Sequence, residues 1–294
     1  MGSDAFALVL ASALLHAWWS VSIKGSGDPL VFNALQTALP LAGLFAALPW
    51  VELGEVPPRA WACLAATTLC HTGYFWWLSR AFEHGDLTLV YPITRSTPAF
   101  LPLLAAPLLG ERLPALGIAG IATVVAGMWL VQLGAGPRRG AFREPATRDA
   151  LLTLATTVGY SLFDKAAMAD LAGQAWSGAV PRAVFWNLAL WSAAGCLFSA
   201  LVARRRGLAA LRAAARADLA GPSRAAAVSL VGYALVLQAF TLAPASYVVA
   251  VRQTSVLFAL GLGVLRLRER PGRPRIVGAV ATVAGVALIA VAGG

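Results

Sequence analysis

The sequence predicts an all-α integral membrane protein of ten transmembrane helices, arranged as two inverted five-helix repeats. Three observations carry that expectation. Of 294 residues, 59% are hydrophobic and only 12% are charged, with a mean hydropathy of +0.72. A soluble domain carries about 25% charged residues, so this chain cannot clothe itself in polar surface. Continuous apolar stretches recur along the whole length, each long enough for a ~30 Å hydrocarbon core. A transmembrane β-barrel would instead show alternating strands of about 10 residues. The third observation is that the second half of the chain repeats the first.

Polar punctuation places the spans near residues 5–23, 30–50, 60–82, 87–109, 114–133, 150–170, 180–203, 225–242, 245–265 and 275–292. Span 1 lacks the Lys/Arg leader of a signal peptide and reads as a retained helix. It carries His16, Trp18 and Trp19 and closes on Lys24, near enough to its end to snorkel to the interface. Span 3 holds Cys63, Cys70, His71, Tyr74, Trp76 and Trp77. The three cysteines, with Cys196 in span 7, all fall in apolar stretches without disulfide or zinc spacing, and read as small buried hydrophobes. Lone histidines in helices read as packing or hydrogen-bonding residues, and no HExxH or paired-His spacing points to a metal or cofactor.

Span 4 contains the stretch Tyr91-Pro92-Ile93-Thr94-Arg95, followed by Pro98. Proline in a membrane helix frees backbone groups that a substrate or water can meet. An arginine at mid-membrane costs at least about 2.5–3.5 kcal/mol and persists by facing a cavity, a partner or a substrate. Span 5 is preceded by Gly110-Glu111-Arg112 and Pro114, where a carboxylate complements a positive helix end and proline suits a first turn. Its small residues, Ala115, Ala119, Gly120, Thr123 and Gly127, suit close helix packing, within the molecule or in a homodimer through spans 5 and 10.

Span 6 carries Tyr160, Asp164 and Lys165. Asp164 reads as the only clear intramembrane carboxylate, open to an ion pair with Lys165 or to carrying a coupling proton. Trp186 and Trp191 lie in span 7, and the basic loop 204–224 suits a short amphipathic interfacial helix. Tyr233 lies in span 8, Tyr247 and Arg252 in span 9. Trp50, Trp61 and Trp176 suit an interfacial belt, whereas Trp18, Trp19, Tyr74 and Trp77 lie deep enough to wall a cavity and stack on a planar or sugar-like ligand.

Residues 85–134 align without a gap to residues 243–292. Phe100 meets Phe258, Glu111-Arg112 meets Glu269-Arg270, and Val125-Ala126-Gly127 meets Val283-Ala284-Gly285. The chain's two lysines end matching segments, HAWWSVSIK and TVGYSLFDK. Residues 1–134 and 150–294 are therefore two copies, joined by the basic linker 135–149. An odd number of spans per copy makes the second enter the membrane from the opposite side, the inverted-repeat plan of secondary transporters. The repeat places Arg95 and Arg252 one position apart, so both are expected to line one cavity. No acid at their depth is evident, and two bidentate cations point to an anionic or carboxylate-bearing substrate.

The net charge of +10 sits almost wholly in short loops and so reflects membrane topology rather than nucleic-acid binding. With the N-terminus outside, inside loops hold about 17 Lys/Arg and outside loops three, Arg59, Arg112 and Arg182. Both termini are expected outside. Alanine-rich spans and arginine in preference to lysine suggest a GC-rich bacterial genome and a bacterial cytoplasmic membrane.

The stretch AFEHGDLTLVYPITRSTPAFLPLLAAPLLGERLPALGIAGIATVVAGMWLV resembles the EamA-type domain of the drug/metabolite transporter superfamily. The resemblance rests on Gly85-Asp86-Leu87, Tyr91-Pro92, Arg95, Pro98 and Gly110-Glu111-Arg112-Leu113, and LAPASYVVAVRQTSVLFALGLGVLRLRERP repeats it more loosely. It implies a ten-helix inverted-repeat carrier with a central cavity lined by spans 1, 3, 4, 6, 8 and 9, moving small polar metabolites. It also implies cytoplasmic termini, against the loop charges. Pro92 and Pro98 are Ala250 and Val256 in the second copy, so the copies are not equivalent. The expected function is alternating-access transport of a small molecule within membrane lipid; a flippase for a lipid-linked phosphate is the alternative. An intramembrane enzyme is a distant third, since no GxSxG, metal spacing or acid pair lies in the spans. Nothing resembles a channel filter or a ring of pore charges.

Overall fold

In the computed structural model the chain is helical throughout, with no strand among the described residues. The description covers residues 1–24, 26–84, 87–132, 145–258, 260–261 and 272–293, without the side chains of 20–24, 84, 87–89, 91 and 132. Span 1 is α1, Ser3–Lys24. Span 2 is divided into α2, Pro29–Ala38, and α3, Pro40–Ala47, because Pro40 has no N–H to continue the ladder. Asp28 caps α2, its carboxylate accepting from the amides of Leu30 (3.0 Å) and Val31 (3.2 Å). Span 3 is α4, Pro58–His84.

Span 4 is not continuous. It forms α5, Leu87–Thr94, and α6, Thr97–Leu109, with Arg95 and Ser96 between them. Pro98 cannot donate to the carbonyl four residues back, and its ring crowds that carbonyl, so the helix restarts here. Gly110 ends α6 at φ 68°, a left-handed position suited to glycine. Span 5 is α7, Ala115–Gln132, and span 6 is α8, Pro145–Ala172. Span 7 is α9, Arg182–Arg206, stopped by Gly207 at φ 83°. The basic loop then contains α10, Leu208–Ala217, the short amphipathic helix its composition anticipates. Spans 8 and 10 are α11, Ala220–Leu242, and α13, Arg273–Ala292.

Span 9 also breaks, without a proline. Helix α12, Ala245–Arg252, gives way at Gln253 and Thr254, and residues 255–258 are helical again. The amides of Gln253, Thr254, Val256 and Leu257 each bond three residues back, a local 3₁₀ tightening. Both intramembrane arginines thus stand at interruptions of their helices.

By length and composition, Pro29–Trp50, Arg182–Arg206, Ala220–Leu242 and Arg273–Ala292 suffice to cross a bilayer, while Ser3–Trp19 and Ala115–Val131 are shorter apolar helices. Helices α4 and α8, 27 and 28 residues long, are not among these apolar spans. The main packing pairs are α4 with α8, α1 with α11, α2 with α9 and α7 with α13, each joining a helix from residues 1–132 to one from 145–293. Phe75, Trp186, Phe198 and Phe240 fill the interior, while Phe45, Leu103, Val280 and Val291 face outward, as a lipid-facing surface requires.

The glycine faces of α7 and α13 are buried against each other within the chain. A Cβ at Gly127 would lie 2.6 Å from the Thr282 amide nitrogen, and one at Gly285 2.7 Å from the Gly120 carbonyl oxygen. Of the cysteines, Cys63 is buried, but Cys70 is half-buried and Cys196 exposed, so the expectation of three buried thiols holds for one.

Candidate functional site

Helices α1, α4, α8, α9, α11 and α12 bound an empty volume of about 450 Å³, part of it open to the outside. Its wall is mostly aromatic: Trp19 from α1, Tyr74 and Phe75 from α4, Tyr160 from α8, Trp191 from α9 and Tyr233 from α11. His16, His71 and Arg252 add the polar groups. Spans 1, 3, 6, 8 and 9 are those the resemblance implies. Span 7 contributes in place of span 4, which supplies no lining residue among those described.

The α12 break puts Arg252 at a helix end, where a cation complements the exposed carbonyls. Its guanidinium lies 5.6 Å from the centre of the Tyr233 ring, a cation–π distance, and Nη2 lies 3.3 Å from His16 Nδ1. Arginine can only donate, so Nδ1 is the accepting nitrogen of His16. Arg252 Nε is buried with no hydrogen-bond partner among the described residues. His16 in turn packs on Trp19, 5.0 Å between ring centres. Trp19 is held by a polar relay through three helices. Its indole donates to Gln36 (3.0 Å), Gln36 to Asn33 (2.7 Å), and Asn33 to Ser79 (3.3 Å).

Behind the Tyr233 ring lies Asp164, fully buried. Its carboxylate accepts from the Tyr233 hydroxyl (2.5 Å) and the Trp186 indole (3.1 Å), and lies 3.3 Å from His71 Nε2. The His71 ring stacks on Tyr160 at 4.1 Å and meets Tyr233 edge-on at 5.4 Å. Tyr74 packs edge-on against Tyr160, at 5.7 Å. The expectation that no acid shares the arginines' depth is therefore corrected: Asp164 meets the hydroxyl and Arg252 the ring of the same Tyr233. His71 and Trp186 are central to this network, yet no local sequence pattern marks them, since Asp164 lies 93 and 22 positions away.

Of the readings open for Asp164, the ion pair with Lys165 is not formed. Successive helix residues point about 100° apart, so the two side chains leave α8 on different faces. Lys165 instead donates to the carbonyls of Phe240 and Ala243 (2.9 Å for the latter), at the C-terminal end of α11. Asp164 is not the only enclosed carboxylate either. Asp149, read from sequence as a loop residue, lies within α8 and is fully buried; it accepts from Arg80 Nε at 3.0 Å and pairs with Arg148 at 3.3 Å.

Arg95 does not line the cavity, but its charge, like that of Arg252, reaches His16 and Tyr160. Trp18 is 43% exposed on the outer face of α1, and Trp77 packs under Arg80, 5.6 Å from ring centre to guanidinium. The side chains of Lys24 and Tyr91 lie outside the described residues. At the span 4 break, the Ser96 hydroxyl donates to the Pro92 carbonyl (2.7 Å) and accepts from the Trp129 indole (3.0 Å). The chain's own side chains thus meet groups that the sequence reading left for substrate or water.

Glu111 does serve a helix N-terminus, though not that of the helix following it. Its carboxylate accepts from the Ala245 amide (2.5 Å), the Ser246 amide (3.3 Å) and the Ser246 hydroxyl (2.6 Å), capping α12 across the bundle. Its repeat counterpart Glu269 lies outside the described residues. Among the described residues, no three of His, Cys, Asp and Glu are grouped to hold a metal ion.

An apolar-surfaced helical bundle with a buried aromatic and charged cavity defines a polytopic membrane protein built around a central site. A crystal structure of another protein shares this fold, with a TM-score of 0.71 over 98% of this chain and 96% of that one, at 18% identity. In all, 29 chains of solved structures match; no curated protein does. Residues 5–133 and 175–291 match the EamA-like transporter family, and the chain belongs to it. It is an integral membrane protein of a drug/metabolite transporter type.

Proposed function

We propose that the protein is a secondary active transporter for a small anionic or carboxylate-bearing metabolite, working by alternating access around the aromatic cavity. The observation that carries this reading is Arg252. A guanidinium whose buried Nε has no hydrogen-bond partner among the described residues faces the cavity. A carboxylate would take up the spare donors bidentately, and the walls formed by Trp19, Tyr74 and Tyr160 suit a flat apolar body.

Two inverted repeats, 1–134 and 150–294 joined by linker 135–149, remain our reading of the architecture. The helix pairing supports it: α1 against α11 is the repeat equivalent of α8 against α4, and α2–α9 and α7–α13 each pair equivalent spans. We place both termini outside and the protein in a bacterial cytoplasmic membrane. The end of the bundle bearing Arg80, Arg148, Arg205 and Arg206 would then face the cytoplasm, in keeping with the positive-inside bias.

A thermal-shift screen of the purified protein tests the reading, comparing aromatic carboxylates and phosphorylated metabolites with organic cations of similar size. Stabilisation by the anions is expected, falling at least about tenfold in apparent affinity in Arg252→Ala and only partly restored in Arg252→Lys, which keeps the charge but not the fork. Stabilisation by cations alone would sink the proposal.

A further inference from the structure

We propose that His71 and Asp164 form a proton-binding dyad in the cavity wall, loaded together with the anion held at Arg252. The linkage part rests on the ligand reading above; the dyad itself does not.

Asp164 is fully enclosed and touches three donors. Two of them, the Tyr233 hydroxyl and the Trp186 indole, are neutral groups that hydrogen-bond a carboxylate without cancelling its charge. The third, His71, is the side-chain type that changes charge near neutral pH. An enclosed carboxylate that no arginine or lysine touches directly is an unfavourable state, and one proton on the pair removes it, whichever atom carries the proton. The route is also defined, because His71 lines the cavity while Asp164 does not. Stacking on Tyr160 and edge contact with Tyr233 hold the imidazole with Nε2 toward the carboxylate. A proton therefore passes from cavity water to His71 and is shared with Asp164.

The surrounding groups are few. Helix α4 adds the thiols Cys63 and Cys70, α8 adds Tyr160, and α11 adds Tyr233. Arg252 of α12 and Arg95 of the α5–α6 break are cations whose charges reach the neighbouring Tyr160, and both also reach His16 of α1. Among the described residues, α2 and α9 bring the neutral Asn33, Gln36, Trp186 and Trp191, and Lys165 is turned to the α11 carbonyls. Loading the dyad makes the wall more positive by one charge. An anion at Arg252 is then bound more tightly, and by reciprocity the anion draws a proton onto the dyad. Tyr233 is the shared element, its hydroxyl on Asp164 and its ring under Arg252.

Infrared difference spectra of the full chain in nanodiscs, between mildly acidic and mildly alkaline buffer, read the dyad without any ligand. We expect carboxyl and imidazole bands to change in one step, lost in both Asp164→Asn and His71→Gln. A wild-type step surviving in Asp164→Asn, or absent from the wild type, overturns the proposal. If Asp164→Asn does not fold, His71→Gln carries the same test, since Tyr233 and Trp186 still cap the carboxylate. Benzoate then serves as the anion probe. Its affinity should rise at least about fivefold on acidification, with the dependence flattened in Asp164→Asn. A pH-independent benzoate affinity in the wild type overturns the linkage. An intact infrared step with no carboxylate binding retires the ligand reading and supports the dyad alone.

Discussion

The two longest helix contacts, α7 with α13 and α4 with α8, are built on different principles. Between α7 and α13 backbone meets backbone: a Cβ at Gly127 or Gly278 would fall 2.6 Å from the Thr282 amide nitrogen or 2.5 Å from the Gly127 carbonyl oxygen. In the α4–α8 contact, added Cβ atoms at Gly73 and Gly159 would meet side-chain ends, the Thr156 methyl at 3.0 Å and the Cys70 sulfur at 2.9 Å. Ion pairs close this contact at both ends, Arg80 with Asp149 and Arg59 with Asp170. The first contact has no room to slide and acts as scaffold. The second is held by adjustable side chains and charges, and it contributes His71 and Asp164 to the site.

The comparison can be broken most directly at its glycines. Gly127→Ala is expected to cost about 2–3 kcal/mol, because only backbone can yield, while Gly73→Ala should cost less than about 1 kcal/mol as a methyl group turns aside. Melting of the purified variants in detergent measures both; the opposite order would undo the contrast. Next in size, Asp149→Ala strips Arg80 of its enclosed carboxylate. A loss of about 2 kcal/mol is expected, below the ~3–5 of a fully enclosed pair because Arg80 is 23% exposed. Smallest is Arg59→Ala at the other end of the same helices. Arg59 is 68% exposed, so its pair with Asp170 should contribute no more than about 0.5 kcal/mol, and that only at low salt. Equal effects at the two ends would mean that burial does not distinguish them.

What could be read from sequence follows from what each feature depends on. Helix positions depend on local composition and were legible, as was the break at Arg95, announced by Pro98. The break after Arg252 was not, since no proline marks it and only the three-residue hydrogen bonds of Gln253 and Thr254 define it. Arg252 was found because an arginine within an apolar run is conspicuous by itself. The role of His71 depends on Asp164, 93 positions away, and Tyr233 and Trp186 join from two further helices. No local pattern encodes that meeting. Adjacency also misled, pairing Asp164 with Lys165 when helical rotation sends them to different neighbours. Glu111 reads from sequence as an acid serving the helix that follows it, whereas the helix it caps lies 134 positions on.

That cap has a consequence for how the site is inherited. Helix α12 hangs from Glu111 at Ala245 and Ser246, and Arg252 is its last residue, about 10 Å lower at 1.5 Å per residue. The depth of the guanidinium is thus gauged by a peg belonging to the other half of the molecule. A chimera that exchanges halves between relatives takes the peg with one parent and the plumb line with the other. Recombination at the linker then tests whether two parents agree on a length, as well as on a pocket.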